Sequence, residues 1–250
     1  TPQAEMTASS LTAIPPRLGE DFTLKAAPGE TIQTSVRVRN GSSAPMTVTS
    51  QAFDFIVDQN GSTPIPVQEE VSNRWSLASW LVLAPSVNEI APGEAATINI
   101  VIEVPEDALP GGHYAMITHQ PATGGAVDEL AGQPAPASQL QQRVGTLLYF
   151  MVDGPINEAA FIRNFQIPKF SEMGPVPFSF EVDNQSDIHL NPQIGVEIYN
   201  LFGQKVETIE IESKNVFPFI AREFEGEWDR IWGFGPYQAK VVMSFGQQGQ

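Results

Sequence analysis

The sequence predicts an all-β fold made of two tandem immunoglobulin-like β-sandwich domains. Three observations predict it: short segments in which apolar and polar residues alternate, turn-forming residues between those segments, and a tetrapeptide that occurs twice. Proline and glycine contribute 21 and 20 residues, and they separate short runs rich in valine, isoleucine, threonine and phenylalanine. This arrangement is typical of many short strands joined by turns.

Two segments of the first half alternate most clearly. Residues 31–39 and 95–104 place apolar side chains on one face of a strand: Ile32, Val36, Val38, Ile98, Ile100 and Ile102. Each segment follows the same tetrapeptide, Ala-Pro-Gly-Glu, at residues 27–30 and 91–94. Proline presets φ at the second turn position and glycine accepts a positive φ at the third. Both copies are therefore predicted to be type II turns that lead into antiparallel strands.

Further strands complete the two domains. In the first domain, residues 1–153, we expect them at residues 22–25, 46–57, 74–83, 113–120 and 144–152. In the second domain, residues 154–250, we expect them at residues 160–167, 176–182, 193–199, 206–211, 221–228 and 237–245. Turn formers at residues 153–155 predict the junction. About seven strands, and then six or seven, are typical counts for immunoglobulin-like sandwiches.

Composition excludes several classes of function. The chain has 29 acidic and 13 basic residues, a formal charge of −16, which repels nucleic acid and anionic lipid. It has no cysteine, so disulfides, thiolate metal sites and cysteine nucleophiles are excluded. We interpret it as the excised soluble portion of an exported protein at the cell envelope or outside the cell, with any leader or membrane anchor outside this fragment.

Few residues indicate catalysis or metal binding. On one strand, His113 and His119 share a face but lie about 20 Å apart at ~3.3 Å per residue, too far to share a metal ion. We expect these histidines and His189 to be at the surface or half-buried. The calcium-like segments at residues 58–62 and 183–187 lack the distal glutamate of a calcium loop and are interpreted as turns. No cofactor is expected.

Other polar patterns also favour structural interpretations. Three carboxylates alternate along one predicted strand, and we expect a solvated face: Glu223, Glu225 and Glu227. Three asparagines match the glycosylation sequon, which occurs readily in turns: Asn40, Asn60 and Asn184. The sequence contains no Gly-Xaa-Ser-Xaa-Gly nucleophile elbow, phosphate-binding loop, His-Glu-Xaa-Xaa-His zinc motif or dinucleotide-binding fingerprint. We therefore do not expect an enzyme.

Two segments are candidates for binding. Residues 121–142 are rich in alanine, glycine, proline and glutamine, without periodicity, and separate two predicted strands. Loops of this length are either functional or disordered. Aromatic residues gather at residues 232–237, where we expect partial exposure. The candidate binding residues are Asp128 and Glu129 in the loop, and Trp232, Phe234 and Tyr237 in the aromatic group.

The order of these motifs resembles a known family. The first half contains Pro28-Gly29-Glu30, Val36-Arg37-Val38-Arg39-Asn40, Trp80, Pro92-Gly93-Glu94, Pro105 and Pro110-Gly111-Gly112-His113-Tyr114. The second half contains Asn215-Val216-Phe217-Pro218, Arg222-Glu223-Phe224, Trp228 and Gly235-Pro236-Tyr237. Together they resemble the WxL-interacting, peptidoglycan-binding surface proteins of bacteria. The resemblance implies a cell-envelope protein that binds a cell-wall polymer or another surface protein. The insertion at residues 121–142 departs from that pattern.

Two alternatives stay open. A periplasmic pilus-type chaperone also has two such domains, and needs an exposed strand for pairing and a basic anchor for a subunit's terminal carboxylate. Arg17, Arg163 or Arg222 would supply that anchor. A carbohydrate-active enzyme or its accessory module is the other alternative, and the enzyme needs two carboxylates about 5 to 10 Å apart in a groove.

Overall fold

The chain folds almost entirely into β-strands. The computed structural model describes residues 11–58, 60–67, 74–122, 143–231, 233 and 235–246. Within these ranges the only helical element is a 3-10 turn at Ala78–Trp80, and no helix is long and apolar enough to cross a membrane. The predicted fold class, all-β with two tandem immunoglobulin-like sandwiches, is confirmed.

The chain divides into two compact units. The first comprises residues 1–55, 66–109 and 113–153. The second comprises residues 154–250 together with two short pieces, residues 56–65 and 110–112, which lie earlier in the sequence.

The first domain consists of two sheets. One has four strands in the spatial order β1 (Leu11–Ile14), β4 (Thr31–Asn40), β10 (Ala95–Glu103) and β8 (Leu81–Ala84). The other has the order β2 (Arg17–Leu18), β12 (Val144–Val152), β11 (Gly111–Pro121), β5 (Met46–Phe53) and β9 (Val87–Ile90), with β3 (Lys25–Ala26) also beside β12. Two short strands, β6 (Phe55–Val57) and β7 (Pro64–Pro66), form a separate hairpin, and most of its residues, 56–65, belong to the second unit.

Alternation of apolar residues builds the core of this domain, as predicted. In β10 the side chains of Ile98, Ile100 and Ile102 are fully buried, and β10 pairs antiparallel with β4 along nine residues. Both repeated tetrapeptides form turns in which the fourth residue donates its N–H to the first residue's carbonyl. Gly29 and Gly93 adopt φ of 81° and 77°, where a side chain would be strained.

Residues 154–250 of the second domain contribute six described strands in two three-stranded sheets. One sheet has the order β13 (Ala160–Gln166), β14 (Val176–Asn184) and β17 (Ala221–Trp228); the other has β16 (Lys205–Ile211), β15 (Gln193–Tyr199) and β18 (Gln238–Ser244). Their inner faces enclose a core of phenylalanine and branched aliphatic side chains. Phe180 and Phe224 lie directly opposite each other on β14 and β17 and stack there with ring centroids 5.8 Å apart.

Several first-domain predictions are wrong in detail. Of the predicted strand at residues 22–25, only Lys25 lies in a strand, β3, because Phe22 closes a turn, with a φ of 59° and its N–H donated to Gly19 O. The predicted strand at residues 46–57 is interrupted at Asp54, whose carboxylate accepts the N–H groups of Leu77 and Ala78. Because these hydrogen bonds join Asp54 to residues 23 and 24 positions later, no local sequence pattern indicates the interruption.

Candidate functional site

The two histidines of β11 are buried, not surface or half-buried as expected. Both ring nitrogens of His113 lie near carbonyl oxygens, 3.1 Å from Ser76 O and 2.9 Å from Leu109 O, and the ring packs on Trp80 at 4.4 Å. Burial lowers the pKa of His113. His189 is buried as well. The prediction of surface or half-buried histidines did not take into account that backbone carbonyl groups can satisfy a buried imidazole, as they do at His113.

His119 lies in the first-domain interior. Its Nδ1 is 2.8 Å from the Ser50 hydroxyl, and its Nε2 has no hydrogen-bond partner among the residues that the structure describes. Burial lowers its pKa to about 4, so the ring is neutral at pH 7. A neutral, enclosed imidazole of this kind is part of the core.

The first calcium-like segment contains a turn, in which Gly61 donates its N–H to Asp58 O, and the second begins at the end of β14 and continues into the loop that follows. The Asp58 carboxylate accepts the backbone N–H groups of Ser62 and Thr63, at 2.7 and 3.1 Å, which lowers its pKa to about 2. At the other segment, Asp183 pairs with Arg163 at 2.5 Å. No cluster of three or more His, Asp or Glu side chains in the described ranges is arranged to hold a metal ion.

Two of the three sequon asparagines are structural. The Asn184 side chain is fully buried and donates to Ile188 O and Val216 O. Asn40 is buried in the same way and donates to Ala44 O and Ile90 O. These side chains close turns in the interior and are not accessible for glycosylation, since their amide nitrogens already bond to the backbone.

The three candidate anchor arginines are engaged within the chain. Arg17 pairs with Glu20 at 2.9 Å, Arg163 pairs with Asp183, and Arg222 donates to Asn215 O at 2.5 Å. An arginine already bonded to a carboxylate or carbonyl must give up that partner before it binds a ligand's carboxylate.

Of the predicted binding residues, the structure describes only Tyr237. Its ring meets Trp228 edge-on at a centroid distance of 4.9 Å, and the Arg230 guanidinium lies 5.8 Å from the centroid of each ring. Asp128, Glu129, Trp232 and Phe234 lie outside the described residues. Tyr237 thus belongs to a layered group of two aromatic rings and one cation, just before β18 begins.

That group forms part of an apolar groove in the second domain. The groove has a volume of about 480 Å³ and is lined by residues 167–174 on one side and by parts of residues 228–239 on the other. Three of its apolar side chains are well exposed: Phe170 at 79%, Met173 at 65% and Ile231 at 59%. Their exposure was not predicted from the sequence. The sequence signal for this exposed surface was a phenylalanine and a methionine between Pro168 and Gly174, in a segment where apolar and polar residues do not alternate.

A free strand edge begins beside the groove. β18 pairs antiparallel with β15 along all seven of its residues, and no described residue pairs with its opposite edge. The inward side chains of β15 are fully buried, whereas those of β18 are only half-buried: Ala239, Val241 and Met243. The core is thus incompletely covered along this edge, because no described strand lies beyond it.

The positions of the carboxylates and of the open strand edge bear on the two alternative functions, a carbohydrate-active enzyme and a pilus-type chaperone. The described lining of the groove contains one carboxylate, Glu172, so the carboxylate pair of a glycosidase is not found there. The glutamates of β17, residues 223, 225 and 227, are exposed to solvent, as predicted. An exposed strand for pairing, which the chaperone alternative requires, does occur in the form of β18.

Comparison with known proteins gives structural matches only. No family model matches the chain, and no curated protein matches it in sequence. The YadV chaperone is 14% identical, with a TM-score of 0.46 and 96% of each chain covered. The class 5 fimbriae chaperone CfaA is 10% identical, with a TM-score of 0.46 and 93% of this chain and 98% of that chain covered. The CupB2 chaperone of Pseudomonas aeruginosa is 16% identical, with a TM-score of 0.41 and coverages of 89% and 90%.

These matches correct two sequence-based expectations. The resemblance to the WxL-interacting family is wrong, because the matched structures are pilus chaperones and no family model supports it. The main functional interpretation, a protein that binds cell-wall polymer, is contradicted on the same ground, and the pilus-chaperone alternative agrees better. At these identities and TM-scores the likeness concerns the fold, and it transfers no binding residue to this chain.

Proposed function

We propose that the chain is a non-enzymatic, exported protein that holds a β-rich surface subunit by strand pairing, as a pilus-type assembly chaperone does. The observation that carries this proposal is the outer edge of β18, which is unpaired among the described residues and borders half-buried core side chains. An edge of backbone N–H and C=O groups is a template for another extended chain. The edge favours a polypeptide partner, because an added strand satisfies those groups in register.

The free energies of hydrogen bonding, chain ordering and apolar burial indicate which side chains the paired segment carries. A backbone hydrogen bond contributes about 0.5–1.5 kcal/mol net, whereas ordering one residue of a flexible segment costs about 1–2 kcal/mol. Hydrogen bonds alone therefore do not hold the segment. Burying a valine or phenylalanine side chain contributes about 1.5–3 kcal/mol. We infer that the segment carries bulky apolar residues at alternate positions, which would cover Val241 and Met243.

The kind of partner is a β-rich subunit of a surface structure. Some of the structures that resemble this chain are described as complexes of a chaperone with a tip adhesion subunit or with a pilin. The formal charge of −16 favours a neutral or basic segment over an acidic one. The proposal includes no arginine anchor for a terminal carboxylate, since the three candidates already bond within the chain.

Two neighbouring proline substitutions test the proposal. Along an edge strand of an antiparallel sheet, successive N–H groups point alternately to the paired neighbour and to the open edge. Of Val241→Pro and Val242→Pro, one therefore removes a bond to β15 and destabilises the domain. The other removes an open N–H and leaves the domain folded.

The readout is binding of a synthetic peptide of alternating valine and threonine, long enough to span β18. The folded proline variant is expected to lose at least tenfold in affinity relative to the unmodified protein, because the ring blocks the ladder. Equal binding by that variant and the unmodified protein would refute pairing at β18. The other variant serves as the stability control, since its thermal unfolding identifies which N–H group faces β15.

A further inference from the structure

Charged side chains of alternating sign cross the outer face of the sheet formed by β16, β15 and β18. Lys205 lies on β16, Glu197 on β15 and Lys240 on β18, in the order of the strands. Glu197 and Lys240 are directly opposite each other in the antiparallel pair of β15 and β18. Both alternate along their strands with the side chains that face the core. The row is therefore cation, carboxylate, cation, and it ends at the open edge of β18.

The carboxylate in the middle of this row is bonded within the domain. The Lys205 ammonium lies 3.2 Å from Glu197 Oε1, and the Tyr199 hydroxyl donates to Glu197 Oε2 at 2.6 Å. The hydrogen bonds from Tyr199 and Lys205 lower the pKa of Glu197, and the positive charge of Lys240 lowers it further. Glu197 is therefore ionised at pH 7, and both of its oxygens already have a partner.

The last cation of the row, Lys240, has no such partner. No side chain in the part of the chain that the structure describes forms an ion pair or a hydrogen bond with its ammonium group. Four residues of β18 face outward and are exposed, and only the lysine among them is charged: Gln238, Lys240, Val242 and Ser244. Because a lysine ammonium sits on a flexible stem, it can turn towards a strand added at the open edge.

We infer that Lys240 selects a partner segment that carries a carboxylate directly opposite it on the outer face. This inference rests on the proposed strand pairing and names the residue that fixes the register of the paired segment. A segment of alternating apolar residues can shift by two positions and still direct the same face to the core. Opposite charges on directly opposed residues of neighbouring strands attract, and like charges repel. One carboxylate therefore favours the register that continues the alternating row.

The net charge of the chain makes this inference easy to distinguish from general electrostatics. A formal charge of −16 attracts a basic segment and repels an acidic one. Salt at about 0.15 M screens exposed charges beyond about 8 Å, whereas the contact at Lys240 is closer than that. The local contact and the net charge thus favour residues of opposite sign at the same position of the segment.

Peptides with one altered position test the inference. Three versions of the valine–threonine peptide are compared at about 0.15 M salt, with threonine, glutamate or lysine at one central position of the outer face. The unmodified protein is expected to bind the glutamate peptide roughly twofold to fivefold more tightly than the threonine peptide, and the lysine peptide more weakly by a similar factor. Equal affinity for all three peptides, or tighter binding of the lysine peptide, would overturn the inference.

Substitutions of Lys240 show whether this residue causes the preference. Lys240→Gln is expected to remove it and Lys240→Glu to reverse it, so that the lysine peptide binds most tightly. Lys214→Glu is the matched control, because it makes the same change in net charge at an exposed residue between β16 and β17. The control is expected to keep the preference for glutamate. Thermal unfolding checks that the variants are folded, and a preference that persists in Lys240→Gln refutes the assignment to Lys240.

The same variants test a purely protective role for the lysine. Lysine on an exposed edge strand also discourages unwanted pairing of that edge. If Lys240 has only this role, Lys240→Gln binds all three peptides more tightly than the unmodified protein, and neither protein discriminates between glutamate and lysine. That result would overturn the inference.

The peptides also separate failure of this inference from failure of strand pairing. If the threonine peptide binds and protects the amides of β18 from exchange but the altered residue has no effect, only the role of Lys240 is refuted. If no peptide binds, the proposed function fails and the inference fails with it. A second copy of this chain at the edge would appear as concentration-dependent dimers with β18 protected before any peptide is added, and would also overturn the inference.

Discussion

His119 makes the stability of the first domain depend on pH. Its side chain is fully buried, and burial lowers its pKa from 6.5 to about 4. The folded state therefore binds fewer protons than the unfolded state between these values. The free energy of unfolding is expected to fall as the pH drops below 6.5 and to level off below about 4. At ~1.4 kcal/mol per pH unit, the full loss is roughly 3 kcal/mol.

Urea unfolding at a series of pH values from 7 to 4 measures this effect, with His119→Asn as the comparison. The asparagine retains a polar group near Ser50 but does not titrate, so the variant loses some stability at pH 7 and gains a flatter pH profile. Carboxylates and the buried His113 contribute to the slopes of both proteins and cancel in the difference. Identical slopes for the two proteins, or an NMR titration showing His119 protonated at pH 6, would refute the reasoning.

Two further predictions concern the core of the second domain. Gly226→Ala is expected to destabilise the domain by about 1–3 kcal/mol, because a Cβ there would lie 2.6 Å from the Phe178 ring. Urea unfolding measures this loss of stability, and an unchanged midpoint would contradict the packing described. Asn184→Ala is expected to lower the free energy of unfolding by roughly 2–4 kcal/mol in the same assay, because it leaves Ile188 O and Val216 O without their buried donor. A loss within measurement error would mean that these carbonyl groups find another partner.

Local patterns predicted much of the fold. The bounds of β12, β15 and β17 agree with the predicted segments. The sequence of β12 is rich in strand-forming residues, and in β15 and β17 residues of the two faces alternate, so the signal in each case is local. The repeated tetrapeptides were predicted as turns for a stereochemical reason, the positive φ of Gly29 and Gly93, and that reason acts within four residues. Features set by neighbours in sequence are the ones that a single sequence reveals.

Features set by distant contacts were not predictable in the same way. The short strands β2 and β3 depend on pairing with β12, more than a hundred residues later, and have no alternation of their own. The burial of His113 depends on the carbonyl oxygens of Ser76 and Leu109, which a sequence pattern does not bring together.

The candidate site was predictable only in part. Tyr237 was chosen as an aromatic residue near turn formers, and it does line the groove, but Phe170 and Met173 come from a segment about sixty residues earlier. Whether the edge of β18 is paired depends on every other strand of its sheet, so no property of residues 238–244 alone decides it.

Hydrogen exchange along β18 tests the central claim most directly. In the free protein, alternate amides of residues 238–244 are expected to exchange rapidly from the open edge while those bonded to β15 are protected. Adding the valine–threonine peptide is expected to slow the rapid set and leave the other unchanged. Protection of both sets before any peptide is added, or rapid exchange that persists at saturating peptide, would contradict strand pairing at this edge.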